Sequence, residues 1–204
     1  MLFGLHEYLV GNTKYITFLR NPVNRLLSFY HYVEKRPHHR LYNDVFGRNL
    51  SFHEFIEQID AGDLHNAQVR WISGLEHGTE EEMLTQAFIN IKKHFSFVGL
   101  LEHYDVSLIL LSKIHEWGIP YYRQRNKGSY KFAKNNIEER TLELITQKNN
   151  ADIKLYSLIE QELLSNKNKI KFLNIKLPIL RFISKILYSY KLKKLRIVFY
   201  KRIN

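Results

Sequence analysis

Arg20, Asn21, Pro22, Arg25 and Ser28 stand close together in the chain, and a cation and a hydroxyl at that spacing make a place where a phosphate can be held. Directly before them, Tyr15-Ile16-Thr17-Phe18-Leu19 is apolar, β-prone and too short for a helix. It reads as a strand buried on both faces in a parallel sheet. Asn21 can cap a helix whose first residue is Pro22, where the missing N–H costs nothing and the fixed φ suits a helix start. Leu26, Leu27, Tyr30 and Val33 follow at helical spacing. Arg20 is thereby placed at the carboxyl end of a strand, beside the free N–H groups and positive dipole end of the next helix, with the Ser28 hydroxyl less than two turns along. From spacing alone, an ordinary strand–helix crossover with an exposed Arg and Ser reads equally well.

The elements that must position this junction are mostly helical. Ser51 with Glu54 forms a capping-box pattern ahead of Phe55 and Ile56, and Thr79-Glu80-Glu81-Glu82 starts a helix running to about Lys93. Phe95 to Leu101 reads as a second core strand, and Tyr104 to Trp117 as a helix ended by Gly118 and Pro120. Ile137 to Gln147 and Asp152 to Leu164 read as further helices. Strands alternating with helices predict an α/β architecture, a parallel sheet flanked by helices. No internal repeat is present.

The charge is concentrated at one end. The net charge is +11, yet residues 1–165 carry 19 Lys or Arg against 20 Asp or Glu, while residues 166–204 carry 12 Lys or Arg and no Asp or Glu. We therefore divide the chain into a domain at 1–165 and a basic amphipathic tail at 166–204. Within the tail, Ile179, Leu180, Phe182, Ile183, Ile186, Leu187 and Tyr190 recur at helical spacing after Pro178, a natural helix start. Interspersed Lys and Arg argue against a transmembrane span. Such a helix can lie on an anionic membrane surface, pack on its own domain, or strengthen the field that draws in an anionic substrate. Nucleic acid ranks below these, because the aromatic residues sit on the apolar stripe instead of interleaving with the cations.

Composition narrows the chemistry further. The 204 residues, 45% of them hydrophobic and 14% aromatic, suffice for a real core. With no Cys, the sequence has no disulfides, thiolate zinc sites or Cys nucleophiles. Ten His residues include no His-x-x-x-His helical pair with a nearby carboxylate, so no metal is expected. Met1 to Val10 lacks a secretory leader pattern, and the sequence reads as cytoplasmic or peripheral on the inner membrane face.

The strand followed by Arg-x-Pro-x-x-Arg-Leu-x-Ser, here Arg20 to Ser28, resembles the 3′-phosphate-binding motif of sulfotransferases that use 3′-phosphoadenosine 5′-phosphosulfate (PAPS), with Asn21 where that family most often has Asp. Phe3-Gly4-Leu5-His6, Asn66 to Gly74, Phe97 to Glu102 and Tyr121 to Ser129 resemble the same family in the same order, in the branch of uronyl 2-O-sulfotransferases and bacterial relatives. The resemblance covers roughly residues 1–160. It implies a P-loop-NTPase-like sulfotransferase fold and transfer of a sulfuryl group from PAPS to a hydroxyl, of a carbohydrate by the branch resembled. Arg20 and Ser28 are implied to grip the 3′-phosphate. Arg125, Lys127, Gly128 and Ser129 are implied to belong to a loop closing over the nucleotide, although a plain solvated loop would look much the same. Arg70, near Asn66 and Gln68, could meet an anionic acceptor or orient a backbone turn. His6 is the one histidine considered for catalysis, with a structural or substrate-side role the stronger reading.

The family's other nucleotide segment, a strand and Pro-Lys-x-x-x-Thr/Ser-like loop that cradles the 5′-phosphosulfate, has no counterpart in the sequence. The Gly-His pair that usually precedes the Phe3-Gly4 region is missing too. The expectation is an N-terminally incomplete sulfotransferase fold, from a late start site, a broken gene or a separate partner segment. The competing reading is a non-catalytic remnant that still binds nucleotide or an anionic membrane surface.

Overall fold

The computed structural model describes residues 3–118, 120–122 and 137–188. The chain divides into two compact units, Met1–Val98 with Phe132–Ile159 and Gly99–Lys131 with Glu160–Asn204.

In the first unit, β1 (Tyr15–Leu19) pairs in parallel with β2 (Phe95–Leu100), which starts at the C-terminus of α5 (Glu80–His94). The Ser96 hydroxyl donates to the Tyr15 carbonyl at 3.3 Å, and the Phe18 and Phe97 rings meet edge to face. Both strands lie where the apolar runs predict them. The expected burial of β1 on both faces does not hold: only Leu19 is buried, and Ile16 is 41% exposed. A two-stranded ribbon offers few neighbours to cover either face.

α1 (Pro22–Glu34) buries Pro22, Val23, Leu26 and Val33. Val23, Leu26 and Val33 close on Leu41, Val45 of α2 (Tyr42–Val45), Leu50, Phe55 and Ile56 of α3 (Phe52–Gln58), and Ile145 of α7 (Glu139–Lys148) in one apolar cluster. The α3 start is the anticipated capping box: Ser51 receives the Glu54 N–H, and the Glu54 carboxylate takes the Ser51 N–H at 2.8 Å. The Ser51 hydroxyl, which donates to the same carboxylate at 2.6 Å, and then the Ser51 N–H hold the Glu54 carboxyl below its usual range. Thr79 and Glu82 repeat the device at α5. The Lys148 ammonium fastens α7 to α3 by donating to the Ile56 carbonyl at 2.6 Å.

Between them sits α4 (Ala67–Ser73), an element the periodicity did not announce. It ends at Gly74 with φ of 77°, the left-handed conformation glycine adopts at low cost, and the Asn90 amide donates to the Ile72 and Ser73 carbonyls that the ending helix leaves open.

The second unit contains α6 (Tyr104–Ile114), the later part of α8 (Asn150–Asn168) and α9 (Leu173–Tyr188). Val106, Ile109, Leu110 and Leu111 of α6 are buried, and α6 packs against α9. The expected start of the tail helix after Pro178 is corrected here, because α9 begins at Leu173 and carries Pro178 inside it. Inside the helix, Pro178 gives up the bond to the Asn174 carbonyl and its ring crowds that carbonyl.

Candidate active site

The strand–helix junction is built as its residues suggest. Asn21 precedes α1 with φ of −49° and ψ of 128°, and its side-chain oxygen accepts the N–H groups of Val23 at 3.1 Å and Asn24 at 3.4 Å. Two N–H groups anticipated as free are therefore occupied by the cap, which leaves side chains and the helix dipole as what the junction offers to an anion. Ser28 is exposed on α1, one turn beyond the half-buried Asn24 and on the same face. The Arg25 guanidinium is engaged by the Asp63 carbonyl and the Asn149 side chain.

Arg20 is held by its backbone. Its N–H donates to Gln68 Oε1 at 2.8 Å, and Gln68 Nε2 donates to its carbonyl at 2.8 Å, so one side chain of α4 satisfies both main-chain groups where β1 ends. Gln68 is itself nearly fully buried and fixed, since its N–H donates to Asp152 Oδ2 at 3.1 Å.

Asp152 is the hub of a buried polar network. Its carboxylate also accepts the Val69 N–H at 2.7 Å, which supplies α4 with the N-terminal cap that Asn66, at φ of 45°, does not provide. In return, the Asn66 side-chain oxygen accepts the Asp152 N–H at 3.1 Å near the start of α8. Asn149 completes the exchange by accepting the Asn66 N–H at 3.1 Å and an Arg25 N–H at 3.4 Å. Arg25 further donates to the Asp63 carbonyl at 2.7 Å and lies 3.9 Å from Asp152. Burial pushes the Asp152 carboxyl above its ordinary value, against the Val69 N–H, Arg25 and the Gln68 N–H, which favour the anion. Desolvation likewise lowers the Arg25 guanidinium, against the pull of Asp152 and Asp63.

His6 lies on a 3₁₀ turn, Leu5–Tyr8, inside an aromatic group. Its backbone N–H donates to the Tyr15 hydroxyl at 2.7 Å, and its Nδ1 shares a second hydrogen bond with that hydroxyl at 2.9 Å. The His94 ring is 4.1 Å away and Phe3 4.7 Å, centroid to centroid. Burial, then the neighbouring His6 and Lys93 charges, lowers the His94 imidazole. Arg70 Nη2 donates to the Gly62 carbonyl, the backbone-orienting geometry of its two anticipated roles. A Cβ on Gly62 would lie 2.7 Å from that same nitrogen. Arg125, Lys127, Gly128 and Ser129 lie outside the described residues.

The family model described as "Sulfotransferase family" matches residues 4–159. The chain belongs to the sulfotransferase family. No curated protein matches it. The sulfotransferase match spans the Arg20–Ser28 junction and the whole of the Gln68–Asp152 network, and the mixed α/β architecture is consistent with the family's P-loop-like fold. Membership carries sulfuryl transfer as the general activity, with PAPS as co-substrate and a hydroxyl as acceptor.

Within this sulfotransferase chain, the motif points to the Arg20–Ser28 junction, and it gives no sign of the hydrogen-bond network that joins Gln68, Asp152, Asn149 and Arg25. Gln68 lies in the family-like Asn66–Gly74 segment, but its amide acts on a residue 48 positions away. In the sequence Asp152 marks only the start of a helix. Its work is to cap a helix more than 80 residues upstream.

Proposed function

We propose that the chain serves sulfuryl transfer from PAPS to a carbohydrate hydroxyl, with Arg20 and Ser28 binding the nucleotide's 3′-phosphate. The observation that carries this reading is the two-bond clamp of Gln68 on the Arg20 backbone, which fixes a cation at the mouth of a strand–helix junction. Anchoring the nucleotide at its 3′-phosphate leaves the 5′-phosphosulfate to be presented to the acceptor. The acceptor oxygen attacks sulfur, its proton passes to a base, and the bond from sulfur to the bridging phosphate oxygen breaks to release adenosine 3′,5′-bisphosphate. The anchor contributes by orienting reactants, and cations near the bridging oxygen stabilise the leaving phosphate.

His6 belongs to the supporting side of the site in this reading, because its Nδ1 is engaged by Tyr15 and its ring packs against His94 and Phe3. Arg125, Lys127, Gly128 and Ser129 add contacts to the nucleotide. A carbohydrate acceptor follows from the branch that the motifs resemble, and it is supported by Trp71, 41% exposed on α4, whose flat apolar face suits a pyranose ring.

The test is calorimetry with two nucleotides. A charge-assisted contact is worth about 1.5–3 kcal/mol, so Arg20→Ala weakens adenosine 3′,5′-bisphosphate at least tenfold and leaves adenosine 5′-monophosphate unchanged. Equal affinity of the variant and the unaltered chain for the bisphosphate overturns the assignment.

A further inference from the structure

α9 presents two apolar faces, and packing within the second unit uses one. Leu180 is fully buried, Ser184 nearly so, and the Ser184 hydroxyl accepts the Tyr122 N–H at 3.1 Å. Arg181 Nε donates to Asp105 of α6 at 2.6 Å. Successive residues of a helix turn by about 100°, so Ile175, Ile179 and Phe182 form a second stripe roughly opposite Leu177, Leu180 and Ser184. They are 52%, 39% and 63% exposed, and Phe172, just before the helix, is 68% exposed. A helix that had only to cover α6 would carry polar residues there.

The charges around that stripe identify its partner. Lys176 and Lys185 lie on its two flanks, and Lys169 and Lys171 are exposed just ahead of the helix. Residues 166–204 contain 12 Lys or Arg and no Asp or Glu, and of the cations on α9 Arg181 is paired with Asp105 on the side away from the stripe. Protein–protein interfaces are depleted in Lys, whereas helices that lie on lipid pair an apolar ridge with Lys or Arg beside it. No helix among the described residues is long and apolar enough to cross a membrane, which leaves the surface mode.

We propose that α9 docks the chain on an anionic lipid surface, with Phe172, Ile175, Ile179 and Phe182 entering the headgroup boundary while Lys171, Lys176 and Lys185 meet lipid phosphates. Sulfuryl transfer is not a premise of this inference.

The experiment is co-sedimentation of the full chain with phosphatidylserine-containing and pure phosphatidylcholine vesicles across a salt series. The chain pellets with the anionic vesicles at low salt, at least tenfold less with the neutral ones, and progressively less as salt screens the cations. The triple variant I175S/I179S/F182S changes exposed positions, keeps the melting temperature of the unaltered chain, and loses at least tenfold in binding. The charge variant K176E/K185E also loses at least tenfold and serves where the triple variant is poorly soluble. Absence from anionic pellets at low salt, equal pelleting with neutral vesicles, or unaltered binding by both variants overturns the proposal. So does a dimer in sedimentation velocity that the triple variant abolishes, since a second copy would then be what covers the stripe.

Discussion

Gln68 grips Arg20 by both backbone groups, each at 2.8 Å, and thereby joins the residue that follows β1 to the first turn of α4. Without this amide, the Arg20 N–H and carbonyl would be left to water in a half-buried place. Gln68→Met, close in size but unable to hydrogen-bond, should lower stability by about 1–3 kcal/mol and weaken adenosine 3′,5′-bisphosphate binding as well. Gln68→Glu sets a carboxylate against the Arg20 carbonyl at a nearly fully buried site and should cost at least as much stability as Gln68→Met. Urea unfolding and calorimetry on the same samples separate the effects. A loss of stability with nucleotide affinity intact would reduce Gln68 to a scaffold residue.

Asp152 carries more of the fold than its single ion pair implies. Asp152→Ala strips the cap from the Gln68 and Val69 N–H groups and leaves the Arg25 guanidinium, 11% exposed in its side chain, without its closest carboxylate. Removing one partner of a buried pair typically costs about 3–5 kcal/mol. Arg25→Met should cost less, because the carboxylate left behind still accepts two backbone N–H groups. Denaturant midpoints for the two variants test the order, and an Arg25→Met loss equal to or larger than that of Asp152→Ala would contradict it.

Local chemistry made the junction legible. Asn21, Pro22 and the Leu26–Val33 spacing each encode a helix start within a few residues, and both capping boxes, Ser51 with Glu54 and Thr79 with Glu82, stand where their spelling puts them. Long-range reciprocity was not legible. The start of α4 has Asn66 in a left-handed conformation and no cap of its own, so nothing near it spells a helix, and the missing cap comes from Asp152. Pro178 misled for a related reason: proline marks a helix start only when no packing force extends the helix upstream, and α9 extends back to Leu173. The apolar pattern of β1 was legible as a strand and misleading as to burial, because periodicity reports the strand and not the number of its neighbours.

Acid should weaken the first unit through its histidines. Burial holds the His65 imidazole below its ordinary 6.5, helped by the Lys148 charge, and burial with the His6 charge does the same to His94. A depressed folded value means that the unfolded chain binds protons first. The stability involved is present above about pH 6.5 and is lost as pH falls through the lower folded values. The melting temperature should drop between about pH 7 and pH 5, and His65→Gln or His94→Gln should flatten the drop. A profile as steep in both variants as in the unaltered chain would assign the acid sensitivity to other groups.

The second unit should show an opposite, alkaline dependence centred on Tyr122. Its hydroxyl donates to Asp105 Oδ1 at 2.6 Å while Arg181 donates to Oδ2 of the same carboxylate, so Asp105 ties the loop residue Tyr122 and α9 to α6. Burial, reinforced by the bond to Asp105, pushes the phenol up to about 12 from an ordinary 10. Because the folded value is the higher one, this contribution is complete below about pH 10 and disappears as pH rises toward 12. With the partial exposure of the ring discounted, Tyr122→Phe should cost about 1 kcal/mol at neutral pH. The same substitution should remove the latest component of the tyrosinate absorbance titration. Asp105→Asn should move that component back toward 10 without abolishing it. A titration in which Tyr122→Phe deletes a component near 10 would show that the phenol is not held by Asp105, and the alkaline loss of stability would then need another source.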